Sequence, residues 1–265
     1  MATESNKPYR IGVALSGGGA RGFAHAGALK ALEEAGLRPD VIAGVSAGSV
    51  VAVMYSAGVR PDDMIRVFSE GKFGDFARLS VRGGDLFRIN RFKQHVLKQL
   101  NGIERLEDLK IPTYIGVTDI DNGCAVEFHE GPIGDIMQAS CSMPIIFHPV
   151  EMNGVKYVDG GVLHNLPSWI LRDKCDFLIG LNCSPMKTER PGNSLIDIAM
   201  RTYVLMSKGQ QAEDIKLCDL QVEMSELAHY KVFNLKKINT VFLDGYIQMR
   251  SALKKIDINL LKNRK

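Results

Sequence analysis

The sequence contains no CxxC pair, and its five cysteines (Cys124, Cys141, Cys175, Cys183 and Cys218) stand far apart and odd in number. That argues against a zinc site and against a disulfide framework, and it predicts buried free thiols in a reducing compartment. Excess charge is also lacking. A net +3 over 265 residues does not point to nucleic acid as a partner, although it leaves room for local basic patches. Residues 1–10 are polar and have no apolar core, so they do not read as a signal peptide. Long hydrophobic runs are absent, with one near-exception. Residues 41–59 carry no charge across 19 positions, which is long enough to span a bilayer. However, Gly44, Ser46, Gly48, Ser49 and Ser56 interrupt them, and they read as a buried strand, a tight turn and a buried helix. With no span, no repeat and no low-complexity segment, the expectation is a cytoplasmic protein, soluble or peripheral to a membrane. At 45% hydrophobic and 24% charged residues, the composition is that of a globular chain with a sizeable core.

What is present is an alternation of strand and helix patterns. Residues 11–15 form a short apolar run, followed by a glycine-rich loop and a helical pattern over 23–35 that Gly36 closes. Residues 41–45 read as a second buried strand and 47–57 as a second helix, closed by Gly58. Further strands are predicted at 113–118, 125–129, 177–181 and 220–224, with a short one running into Asp159. Helices are predicted at 135–142, 195–215 and 239–256. Such alternation indicates an α/β protein with a mainly parallel sheet flanked by helices. A single domain over 1–265 is expected, with a core at about 9–185, a helical excursion at about 60–110 and an extension at about 190–265. Within the excursion, residues 70–100 carry seven basic residues against three acidic ones, with aromatics interleaved. It reads as a solvated excursion over the core, as a lid, or as a peripheral membrane contact.

Residues 15–22 read Leu-Ser-Gly-Gly-Gly-Ala-Arg-Gly, so Gly17, Gly19 and Gly22 satisfy G-x-G-x-x-G. A dinucleotide site also needs an acidic residue at the end of the second strand. That strand instead ends in Gly44-Val45-Ser46-Ala47-Gly48, the G-x-S-x-G pattern of a nucleophile elbow. The two turns follow consecutive strands, and in a parallel sheet they share one edge. The N–H groups of Gly17, Gly18 and Gly19 are thus candidates for an oxyanion hole facing Ser46. A single such donor is worth roughly 3 kcal/mol of transition-state stabilisation.

A serine nucleophile needs a proton acceptor. None of the six histidines stands in a triad context. Asp159-Gly160-Gly161 follows an apolar strand, and Asp159 reads either as a helix cap or as a carboxylate base whose pKa a dry pocket raises.

Together these elements resemble the patatin-like phospholipases. Gly17-Gly18-Gly19-Ala20-Arg21-Gly22 is similar to that family's oxyanion motif, Gly44 to Gly48 to its serine elbow, and Asp159-Gly160-Gly161 to its Asp-Gly-Gly/Ala motif. Residues 139–147 resemble a further family block. The resemblance implies a three-layer α/β/α fold with a mainly parallel central sheet. It also implies lipid acyl hydrolysis by a Ser46–Asp159 dyad, with Arg21, Gly44, Gly48 and Gly160 supporting and no metal or cofactor. A lipid or acyl ester is the implied substrate, and self-association stays open. Two alternatives also remain open: a lipid- or partner-binding relative with weak catalysis, and an α/β-hydrolase with a Ser-Asp-His triad built on His164 or His229.

Overall fold

A computed structural model describes residues 6–69, 85–186, 190, 192–230 and 235–262. The first half of the chain alternates strand and helix: β1 (Tyr9–Leu15), α1 (Phe23–Glu34), β2 (Val41–Val45) and α2 (Ala47–Ser56). Two helices follow, α3 (Pro61–Ser69) and α4 (Asp85–Leu97). Next come β3 (Thr113–Asp119), β4 (Cys124–Phe128), α5 (Ile133–Ser140), β5 (Val150–Met152) and β6 (Val155–Asp159). The chain continues through α6 (Ser168–Leu171), β7 (Cys175–Asn182), α7 (Leu195–Met206), α8 (Gln211–Lys216) and β8 (Leu220–Glu223). It closes with α9 (Ile238–Leu253) and α10 (Ile258–Lys262).

The eight strands form one sheet in the order β5-β6-β3-β2-β1-β7-β8, with β4 paired to β3 off that path. β3, β2, β1, β7 and β8 run parallel, whereas β4 and β6 pair antiparallel with β3, and β5 pairs antiparallel with β6. The central strands are apolar at nearly every position because helices cover both of their faces. Ile11, Val13, Leu15 and Ile42 join the core cluster that includes α1, α2, α5 and α9. Ala14, Val41 and Ala43 face the opposite cluster with Leu166, Ile170 and Leu178. The period of two along each strand thus supplies both cores, giving helix, sheet and helix layers. Each fully buried Val, Leu or Ile contributes roughly 1.5–3 kcal/mol.

Residues 41–59 fold as β2 and α2, and no helix among the described residues is long and apolar enough to cross a membrane. One element differs from expectation. The helix anticipated over 195–215 is broken into α7 and α8. Ser207 turns its hydroxyl back to the Val204 carbonyl, and the nearly buried Lys208 donates its Nζ to the Ser184 carbonyl. Gly209 follows, a weak helix former. In the basic excursion, residues 70–84 lie outside the described residues. Lys93 on α4 is held by Asp135 on α5 at 3.0 Å, so this cation is paired within the protein.

Candidate active site

The sheet register explains why two residues 113 positions apart in sequence meet. β1 and β2 are parallel neighbours with Leu15 opposite Gly44, so the turns that follow them leave the same edge. β2 ends at Val45, which pairs with Gly116 of β3. The next residue of β3, Val117, pairs with Asp159 at the end of β6. Because β4 occupies the other edge of β3 from Ile115 to Asp119, β2 and β6 must lie end to end on the same edge. Ser46 leaves the sheet where Asp159 reaches it.

The turn at Ser46 is strained. Its φ of 52° and ψ of −123° lie where a non-glycine residue costs of order 1–3 kcal/mol. Its surroundings hold it there. The Ser46 N–H donates to Ser140 Oγ at 2.8 Å, and that hydroxyl donates on to the Gly116 carbonyl at 2.8 Å. Ser49 Oγ donates to the Ser46 carbonyl at 2.6 Å. The flanking glycines allow α2 to start this close to the sheet. A Cβ on Gly48 would stand 2.2 Å from the Leu15 carbonyl oxygen, and one on Gly44 2.5 Å from that of Gly48. Although Ser46 occupies the N-cap position of α2, its side chain makes no capping bond. Its hydroxyl is set against Asp159 instead, close enough to help stabilise the carboxylate charge.

Asp159 is fixed on every side. Its N–H donates to the Ser142 carbonyl at 3.0 Å, and its own carbonyl accepts from Thr118 Oγ1 at 3.1 Å. Oδ1 accepts the Gly161 N–H at 2.8 Å, so the carboxylate does cap the short 3-10 turn over Gly160–Val162. Gly160 passes close to β3, where a Cβ would meet the Gly116 carbonyl oxygen at 2.6 Å. The hydroxyls of Ser46 and Tyr203 also lie against the carboxylate and favour its charged form. With 2% of its surface exposed, Asp159 is pushed up to about 6 by burial, while the Gly161 amide and the two hydroxyls pull the other way. Near neutrality it is therefore mostly ionised, yet far more basic than a carboxylate in water.

The glycine loop lies against Ser46, since a Cβ on Gly17 would stand 3.1 Å from Ser46 Cβ. One expectation needs correcting. The Gly17 N–H is engaged, donating to the Asn165 carbonyl at 3.1 Å, so it is not offered to an oxyanion. That leaves Gly18 and Gly19 as the candidate donors. Arg21 steadies the loop, with its Nε donating to the Tyr230 carbonyl at 2.8 Å. Below the loop, the fully buried His25 sits 2.8 Å from the Ser16 carbonyl through Nε2, which is a packing and bonding role. His164 turns to the buried Asp214 at 2.9 Å rather than to Ser46 or Asp159.

A model of the patatin-like phospholipase family matches residues 13–172, more than half of the chain. The chain belongs to the patatin-like phospholipase family. Among its relatives, an uncharacterised NTE family protein of Mycobacterium tuberculosis is 34% identical over 161 residues, covering 60% of this chain and 44% of that protein. Lysophospholipase nte1 of Aspergillus fumigatus is 29% identical over 170 residues, covering 59% of this chain and 11% of that protein. The aligned stretch is thus less than half of either relative. VipD from Legionella pneumophila superposes with a TM-score of 0.57 at 15% identity, over 96% of this chain and 69% of that one, a likeness of fold.

For this patatin-like chain, motif reading found Ser46 and Asp159 but missed what holds them. Ser140 and Ser142 lie in the block 139–147, whose resemblance to the family was noted without a role for either hydroxyl or carbonyl. Thr118 sits next to the end of β3, Asn165 in a loop and Tyr203 on a helix beyond the family match. Nothing in their local sequence distinguishes them.

Proposed function

We propose that this patatin-like protein is a serine hydrolase of lipid acyl esters. The juxtaposition of the Ser46 hydroxyl, at a strained turn, with a buried Asp159 carboxylate carries the reading. Ser46 Oγ attacks the acyl carbon and Asp159 accepts its proton. The carbonyl oxygen becomes an oxyanion, which the N–H groups of Gly18 and Gly19 hold, aided by the positive end of α2. As the oxyanion collapses, the ester C–O bond breaks and Asp159 returns the proton to the leaving alcohol. Water then attacks the acyl-enzyme, Asp159 takes a proton from it, and the fatty acid leaves as Ser46 regains its hydrogen.

The name of the Aspergillus relative, a lysophospholipase, supports a monoacyl phospholipid as the first substrate to try. The bond from His164 to Asp214 weighs against a Ser-Asp-His triad. The test is fatty-acid release from lysophosphatidylcholine and from p-nitrophenyl esters. Wild-type protein turns over one or both, whereas folded Ser46→Ala and Asp159→Asn variants turn over neither. Full activity in either variant overturns the dyad.

A further inference from the structure

The Ser46–Asp159 pair has a third member that neither the motifs nor the family match contains. Tyr203 lies on α7, beyond residue 172 where the family match ends. A Cβ on Gly161 would stand 3.1 Å from the Tyr203 hydroxyl oxygen and 3.0 Å from Asp159 Oδ1. Both oxygens therefore converge on one point beside the 3-10 turn. The phenol lies against the carboxylate, which is among the causes that raise the phenol's pKa. We propose that Tyr203 is a positioning residue for Asp159, its phenol orienting the carboxylate toward the Ser46 hydroxyl. This deepens the hydrolase reading above and rests on it for its kinetic consequence.

The chemistry of the carboxylate favours that role. An ionised carboxylate offers about four acceptor sites. Here the Gly161 amide fills one of them, and the Ser46 and Tyr203 hydroxyls are the donors placed beside the rest. The amide arises within the same turn, and Ser46 gives up its hydrogen during the reaction. Tyr203 is the donor that comes from a separate element and keeps its hydrogen throughout. Leu195, Ile198, Leu205 and Met206 are exposed, while Ala199, Tyr203 and Ser207 face inward at a spacing of four. The phenol is thus a link between α7 and the reacting pair.

The other titratable groups facing Asp159 stay silent near neutrality. Burial and the Asp159 charge push Cys141 up to about 12, and burial with the same charge pushes the Tyr203 phenol well above its ordinary value. Among the described groups facing Asp159, neither thus competes with it for an acid limb near pH 6. A donor to the ionised form lowers a carboxylate's pKa, so removing the phenol should raise it.

The test is Tyr203→Phe, which keeps the ring and deletes the oxygen. The acid limb of kcat should move up by about one pH unit, with kcat reduced about tenfold and KM changed less than twofold. A side chain that only packs would leave the limb in place. An independent measurement is the 13Cγ NMR titration of Asp159, assigned by its loss in Asp159→Asn, in wild-type and Tyr203→Phe protein. An upward midpoint in the variant supports the positioning role even if no ester substrate is turned over, a result that would count only against the hydrolase reading. Identical midpoints in the two proteins overturn it.

Discussion

Replacing Asp159 by Asn should make the protein more stable at neutral pH while removing its activity. Asp159 is buried, and its pKa is raised from 3.8 to about 6. The folded protein therefore holds the carboxyl proton more tightly than the unfolded chain does. Stability from that proton is fully present below pH 3.8 and is lost as the pH rises through about 6. The gap of roughly two units corresponds to about 3 kcal/mol of destabilisation at pH 7, at 1.36 kcal/mol per unit. Asn carries no charge, yet its Oδ1 can accept the Gly161 N–H and its Nδ2 can donate to the two hydroxyl oxygens. Its advantage over Asp should thus be near zero below pH 4, half-developed near pH 5 and flat above pH 7 at about 3 kcal/mol. In a chain of 265 residues this amounts to roughly 6–12 °C in Tm. Urea unfolding of both proteins from pH 4 to 8 measures it. A stability difference that does not vary with pH, or an Asn variant less stable at pH 8, would refute the argument that a buried charge only partly offset by its donors stands beside Ser46.

Four further outcomes are expected. Ester turnover by the wild-type protein should rise with pH through about 6 and level off above it, because only ionised Asp159 accepts a proton; a rate independent of pH between 5 and 7 contradicts this. Ser140→Ala strands the Ser46 N–H and the Gly116 carbonyl, and should cost about 2 kcal/mol in unfolding measurements as well as slowing turnover. Gly48→Ala places a Cβ 2.2 Å from the Leu15 carbonyl oxygen and should fail to give soluble folded protein in an expression trial. His164→Ala leaves the buried Asp214 without its partner, so it should lower Tm yet keep turnover within about threefold; loss of turnover in folded protein would restore the triad alternative.

The parts of this site that were legible in sequence are those built from neighbours in the chain. The glycine run, the elbow and the Asp-Gly-Gly turn each carry their geometry in a few adjacent residues, and each ends a recognisable apolar strand. How they come together was less accessible. That β6 runs antiparallel and abuts β2 on one edge of β3 depends on pairings between residues 38 to 42 positions apart. Local patterns do not encode such pairings. The Gly17 N–H looked like an oxyanion donor because the loop motif says nothing of Asn165, whose carbonyl claims it. Similarly, an apolar period over 195–215 suggested one helix, and the break came from Lys208 reaching the Ser184 carbonyl. Tyr203 lies on α7, the first of the two helices, beyond the family match, and no motif marks it.

Fluorophosphonate labelling with peptide mapping by mass spectrometry tests the central claim most directly, since it reports a nucleophilic serine without assuming a substrate. One adduct per chain is expected, on the peptide containing Ser46, absent from Ser46→Ala and strongly slowed in Asp159→Asn. A folded wild-type protein that takes no label, or takes it on another serine, would contradict the account.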